Sequence, residues 1–223
     1  MSKEREIIPL GDSAITVVPN ADIVGFTSSQ ITMEAYEIEK SQIPGVTDVV
    51  PSYETVTVHY DPMRIGFSDL KSRLLNRGAP GHKLPGGFSI MVPGGIQRTL
   101  EIPTRYDGED LDEVAKRTGL TTGEVIRIHR AQTYRVLVIG FVPGFAYLGQ
   151  LDARLVLPRR ESPRKRVPPG SVAIAEAQTG IYPSATPGGW HIIGTTTAKL
   201  FDPTDEARPA RLRVGDHVHF VLK

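Results

Sequence analysis

Tyr134-Arg135-Val136-Leu137-Val138-Ile139 runs directly into Gly140-Phe141-Val142-Pro143-Gly144-Phe145-Ala146-Tyr147-Leu148-Gly149, and this junction decides the fold. The first six residues read as a buried strand. The next ten mix glycine, proline and aromatics, so the strand delivers the chain into a rigid aromatic loop. Two further stretches repeat the arrangement. Arg164-Lys165-Arg166-Val167-Pro168-Pro169-Gly170-Ser171-Val172-Ala173-Ile174-Ala175 carries a basic cluster through a Pro-Pro-Gly turn into another strand. Gln178-Thr179-Gly180-Ile181-Tyr182-Pro183, followed by Thr186-Pro187-Gly188-Gly189-Trp190-His191-Ile192-Ile193-Gly194, sets the only tryptophan beside paired glycines. Proline fixes φ and glycine admits positive φ, so such loops adopt few shapes. They read as the corners of a β-barrel and as places to hold a ligand.

The polar and aromatic groups gathered in these loops favour a site. Tyr147, Tyr182 and Trp190 offer flat apolar faces with polar handles, and Gln178 and His191 both donate and accept hydrogen bonds. That set fits a small planar amide or ureido compound. His191 is the candidate acid or base, since an unperturbed imidazole titrates near ~6.5; it serves equally as a hydrogen-bonding wall beside Trp190. Arg159, Arg160, Arg164, Lys165 and Arg166 are opposed only by Glu161. They form a solvated loop or anchor a carboxylate, a phosphate or a partner's acidic surface.

Upstream, residues 5–10 and 14–18 read as strands around the turn Gly11-Asp12-Ser13. Ser28 or Ser29 caps a helix with Ile31, Ala35, Ile38 and Gln42 on one stripe, ended by Pro44-Gly45. Two more strands follow at 46–50 and 55–60, with His59 on a polar face. Ser68 is expected to cap a helix through Leu70, Leu74 and Leu75. The order β-β-α-β-β-α predicts a small α+β domain over residues 1–80. Residues 79–87 have linker composition, and a mainly-β domain is expected over 88–223, beginning with strands at 88–92 and 99–102. Within it 109–130 forms a helical pair with a Thr121/Glu124 capping box. The pair has a helix-turn-helix look, but β structure on both sides favours packing on a sheet over entry into a groove.

The 223 residues, 39% apolar and 23% charged, with 26 basic and 25 acidic side chains, describe an ordinary globular chain of net charge +1. That balance argues for no nucleic acid and no membrane surface as partner. Cysteine is absent, which removes thiolate metal sites, disulfides and thiol nucleophiles. His217 and His219 share a strand face without an evident third ligand, so no metal is expected. No signal-peptide core or bilayer-length apolar run is seen, and the expected location is cytoplasmic. Phosphate-loop, dinucleotide and nucleophile-elbow motifs are missing, so the chain alone is expected to hold no nucleotide cofactor.

The three stretches resemble the signature of the family that joins 5-oxoprolinase B subunits with the kinase inhibitor KipI, also described as allophanate hydrolase subunit 1. The resemblance runs from about Leu10 to Val221. Glu176, Pro169 and His191 stand where the family usually has glycine, alanine and glutamine. The resemblance implies an α+β N-terminal domain followed by a cyclophilin-like β-barrel, together one half of a carboxyltransferase-like assembly. It implies partnership with two other chains, a related C subunit plus an A subunit, in a complex that spends ATP to open 5-oxoproline to glutamate. Relatives form the carboxyl-transfer region of urea carboxylase, or inhibit a sensor histidine kinase. Peptidyl-prolyl isomerisation is not implied, because fold likeness does not carry activity. The pocket implied for this chain comprises Phe141, Pro143, Tyr147, Gln178, Tyr182, Trp190 and His191, with Arg164 and Arg166 nearby.

Overall fold

The computed structural model describes residues 6–18, 28–76 and 98–223. The chain divides into two compact units, 1–96 and 97–223. The expected linker at 79–87 and strand at 88–92 lie outside the described residues.

In the first unit, β1 (Glu6–Pro9) and β2 (Ala14–Val18) pair antiparallel. Helix α1 (Ser28–Lys40) precedes β3 (Val46–Pro51) and β4 (Val56–Tyr60), and α2 (Phe67–Leu75) follows. The sheet order is β1-β2-β4-β3. Alternation drives the packing: Ile15, Val17, Val56 and Val58 are fully buried from the strands and meet Ile31, Ile38, Leu70 and Leu74 from the helices. Two local expectations need correction. Gln42 is not on the α1 stripe, because the helix ends at Lys40 and Gln42 is exposed at φ 44. Ser68 does not cap α2; the extended residue is Gly66 and no side chain caps it, so Ser68 falls inside the first turn.

The second unit is a mixed α/β structure around a nearly closed, barrel-like sheet. Its strands are β5 (Thr99–Thr104), β6 (Thr133–Ile139), β7 (Ala146–Gly149), β8 (Arg164–Val167), β9 (Ser171–Ala175), β10 (Gln178–Ile181), β11 (Thr186–Gly188), β12 (His191–Thr195) and β13 (His217–Leu222). Seven of them form one sheet in the order β12-β9-β10-β7-β6-β13-β5, while β8 and β11 make a separate ribbon. The sheet edges meet where Arg105 and Thr195 exchange backbone hydrogen bonds of 2.9 and 2.7 Å. Gly194 permits that seam, since a Cβ there would lie 2.5 Å from the Arg105 carbonyl oxygen.

Helices α3 (Leu111–Thr118) and α4 (Thr122–Arg130) cover this sheet. Gly119 ends α3 in the left-handed conformation, and Thr121 and Glu124 form the expected capping box. α3 packs against β12 and α4 against β13, burying Leu111, Val114, Val125 and Ile128 in the barrel core. The core includes one polar line. The Tyr106 hydroxyl lies 2.8 Å from His129 Nδ1, His129 Nε2 lies 2.9 Å from Thr179 Oγ1, and that hydroxyl donates to the Ala173 carbonyl at 3.0 Å. Thr179 has one hydroxyl proton, so it accepts from His129 Nε2–H and the Tyr106 hydroxyl donates to Nδ1. Every polar atom of this line is satisfied with the imidazole neutral. Among the described residues, no helix is long and apolar enough to cross a membrane.

Candidate functional site

The opposite face of β9, β10 and β12 carries an aromatic cluster. Phe145 sits at its centre, with edge-to-face ring contacts to Tyr147 (4.8 Å), Tyr182 (5.3 Å), Trp190 (5.6 Å) and Phe141 (5.6 Å). These rings, with Arg159, Pro163, Pro187 and Gly188, enclose a cavity of about 210 Å³. Two glycines make room for it. A Cβ on Gly180 would lie 3.2 Å from the Trp190 ring, and one on Gly188 would fall 2.3 Å from the Tyr182 hydroxyl. Burial raises the Tyr147 phenol, with Arg159 opposing. Burial likewise raises Tyr182, against a backbone hydrogen bond from Trp190. Both hydroxyls are therefore protonated donors at neutral pH.

One side of the cavity is a strap, Pro158 to Arg164, whose residues divide their tasks. Arg159 and Pro163 line the cavity. Arg160 and Arg164 instead reach the Asp110 carboxylate, at 2.7 and 2.6 Å on the same oxygen, and Arg164 also meets Glu109 at 2.7 Å. Asp110 is 3% exposed; its other oxygen accepts the Ile192 amide at 2.7 Å, and its own amide donates to the Ile192 carbonyl at 2.9 Å. A single carboxylate at the start of α3 thus ties the helix, β12 and the strap together. Desolvation works against the Arg164 charge, but the Asp110 and Glu109 carboxylates outweigh it and leave the guanidinium raised.

The structure brings Phe141, Tyr147, Tyr182 and Trp190 together at this cavity. Gln178 is half-buried on the β10 face that Gly180 also occupies, without lining the cavity, and Pro143 and Arg166 are exposed outside it. Arg164 is an internal anchor. His191, read as the candidate acid or base, does not join Trp190. Trp190 and Ile192 pack in the aromatic cluster, so strand alternation turns His191 to the other face. There it is fully buried, with Nε2 2.9 Å from the Pro158 carbonyl and 3.5 Å from Arg117. The basic run is not a free loop either, since Arg164–Val167 is strand β8 and two of its arginines serve Asp110.

Asp110, Arg159 as a lining residue, and Phe145 as the hub were not singled out from the sequence. Each carried a local signal all the same: Asp110 precedes an apolar helical stripe, Arg159 opens the basic run, and Phe145 lies in the aromatic loop. A larger groove of about 370 Å³ in the first unit is lined by Ile38, Gln42, Gly45, Asp48 and Arg64 among others, with no aromatic wall. Its lining is polar and aliphatic, with no ring face on which a flat ligand could stack, so chemistry favours the smaller aromatic cavity. Among the described residues, no three His, Asp or Glu side chains are placed to share a metal ion.

Comparison with known proteins agrees with this architecture. The carboxyltransferase domain, subdomains C and D, matches residues 5–212. The 5-oxoprolinase B subunit of Bacillus subtilis (strain 168) is 38% identical over 234 residues, covering 99% of this chain and 94% of that protein. The 5-oxoprolinase B subunit of Haemophilus influenzae is 37% identical over 222 residues, covering 97% of each. Among solved structures, TTHA0988 superposes with a TM-score of 0.78 at 36% identity; the match takes in 94% of this chain but only 40% of that one. The Kluyveromyces lactis urea amidolyase shares the fold, with a TM-score of 0.70 at 16% identity over 98% of this chain and 15% of its own. By the identity and coverage of its two bacterial relatives and the match to both subdomains, the chain belongs to the 5-oxoprolinase B-subunit family of carboxyltransferase-domain proteins.

Proposed function

We propose that this chain is the B subunit of an ATP-dependent 5-oxoprolinase and supplies part of a composite site that opens 5-oxoproline to glutamate. The observation that carries the proposal is the convergence of Tyr147, Tyr182, Trp190 and one guanidinium on a cavity of about 210 Å³. That volume lies below the ~300–1,000 Å³ of sites for drug-sized ligands and suits a small metabolite. Aromatic walls accept the faces of a planar lactam, and the protonated phenols offer hydrogen bonds to its carbonyl.

In the reaction, water adds to the lactam carbonyl and the ring C–N bond breaks, coupled to cleavage of ATP. This chain binds and orients the ring and excludes water from its faces. Because the sequence has no phosphate loop, ATP is assigned to the assembly through its other chains, an A subunit with a carboxyltransferase-like C subunit, and no cofactor is assigned to this chain alone. No proton transfer is assigned to His191, which faces away from the cavity. The same reading takes residues 88–223 as a cyclophilin-like barrel after an α+β domain over 1–80, in a cytoplasmic complex.

The test is ATP-dependent glutamate release from 5-oxoproline by this chain co-purified with the A and C subunits. Activity that requires this chain and drops at least tenfold in Trp190→Ala supports the reading, about the effect of removing an aromatic wall from a binding site. An assembly that forms but releases no glutamate overturns 5-oxoproline as substrate. The shared fold with urea amidolyase makes urea-type substrates the next to be tested.

A further inference from the structure

We propose that Arg159 is the carboxylate anchor of the aromatic cavity and that Glu176 is its resident competitor, displaced when a ligand carboxylate enters. The proposal rests on the small-molecule reading of the cavity given above and names what that site selects. Of the strap's arginines, Arg160 and Arg164 are committed to Asp110, and Arg159 alone lines the cavity. Its Nε lies 3.4 Å from Glu176 Oε1, with the two side chains 56% and 59% exposed.

Glu176 is held there by the backbone. It occupies the tip of the β9–β10 hairpin at φ 53, a left-handed conformation that L residues rarely adopt. Its amide donates to the Leu157 carbonyl at 2.6 Å, and the two residues form an isolated β-bridge. The hairpin tip is therefore fastened two residues before Arg159, which keeps a carboxylate within reach of the guanidinium. Both partners remain solvated, so the pair is weak, worth at most about a fivefold factor in an equilibrium.

A ligand that joins a carboxylate to a flat ring gains more, because it stacks on the walls and pairs with the planar guanidinium together. The weak internal pair gives way to it. A neutral amide of the same shape has no use for Arg159 and is indifferent to Glu176. The site thus selects a small planar amide bearing one carboxylate, with Glu176 setting the threshold.

Trp190 is the only tryptophan and stands in the wall, so its fluorescence reports occupancy. The full chain alone is titrated through Trp190 emission, and its co-purified assembly with the A and C subunits by equilibrium dialysis, with 5-oxoproline, its neutral carboxamide and inorganic phosphate. Glu176→Gln is expected to tighten 5-oxoproline about two- to fivefold and leave the carboxamide unchanged. Arg159→Gln is expected to weaken 5-oxoproline about tenfold or more, again sparing the carboxamide. If 5-oxoproline binds but Glu176→Gln does not tighten it, or the carboxamide responds equally, this inference falls and the cavity reading stands. Phosphate binding as well as 5-oxoproline overturns the choice of carboxylate. If no probe changes Trp190 emission in the isolated chain and none is retained by the assembly, the inference falls together with the cavity reading.

Discussion

The Nε2 of His191 stands 2.9 Å from the carbonyl oxygen of Pro158, the residue immediately before Arg159. The histidine next to the pocket tryptophan in sequence therefore holds the pocket's strap from behind. His191→Ala leaves that carbonyl without its buried donor and should cost about 1–3 kcal/mol in chemical denaturation. His191→Gln keeps an N–H donor and should lose less than half as much. The pH profile of glutamate release by the assembly should keep its shape in His191→Gln; loss of a limb would restore the histidine to proton transfer.

Asp110 is the second point of attachment, and here charge matters more than shape. Asp110→Asn is nearly isosteric but leaves Arg160 and Arg164, 26% and 17% exposed, without their shared carboxylate. Breaking a fully buried pair costs roughly 3–5 kcal/mol; because these guanidiniums reach solvent, about 2–3 kcal/mol is expected. The substitution should also weaken 5-oxoproline binding through Arg159, seen as a higher KM at little-changed kcat. A variant as stable as the parent would show that the strap does not depend on this carboxylate.

What was legible in the sequence was local. Val56 and Val58 alternate with polar residues and are buried, and Thr121 and Glu124 three apart make the capping box. Tyr147, Tyr182 and Trp190, grouped from the sequence because rigid loops bring such residues together, do line one cavity. The partnership of Asp110 with Arg164 spans 54 residues, and no local rule points across that distance. His191 was misplaced by weighing its chemistry before its period: in extended chain, the residue beside a tryptophan packed in the aromatic cluster faces the other way. Ser68 shows the same limit at smaller scale. The residue type was right for a cap, but the extended backbone fell two positions earlier, at Gly66.

Gly188 tests whether the cavity depends on close approach. A Cβ at this position would lie 2.3 Å from the Tyr182 hydroxyl and 2.9 Å from its ring. Tyr182 is 2% exposed and packed against Phe145, so its ring can yield only into the cavity it lines. Gly188→Ala should therefore cost about 1–3 kcal/mol, as overpacking does, and shift Trp190 emission as the aromatic cluster rearranges. Gly189→Ala is the control, since the nearest atom to its Cβ lies at an ordinary 3.7 Å. Equal effects of the two substitutions would remove the steric argument.

His129 links the fold to pH. Burial lowers its pKa from 6.5 to about 3, and the line from Tyr106 to Thr179 fits the neutral ring. Between those values the unfolded chain takes up a proton that the folded chain refuses. Unfolding therefore gains protons as pH falls from about 6.5 toward 3, and stability drops by up to about 1.4 kcal/mol per pH unit in that window. Above pH 7 this group contributes no slope. His129→Gln carries no titrating proton, so whatever its stability at pH 7.5, its denaturation midpoint should fall less steeply on acidification than that of the parent. Measuring both proteins from pH 7.5 to 4.5, where carboxylate titration is common to the two, isolates the histidine. Parallel curves would mean that His129 is accessible to protons in the folded state and that the barrel core opens around α4.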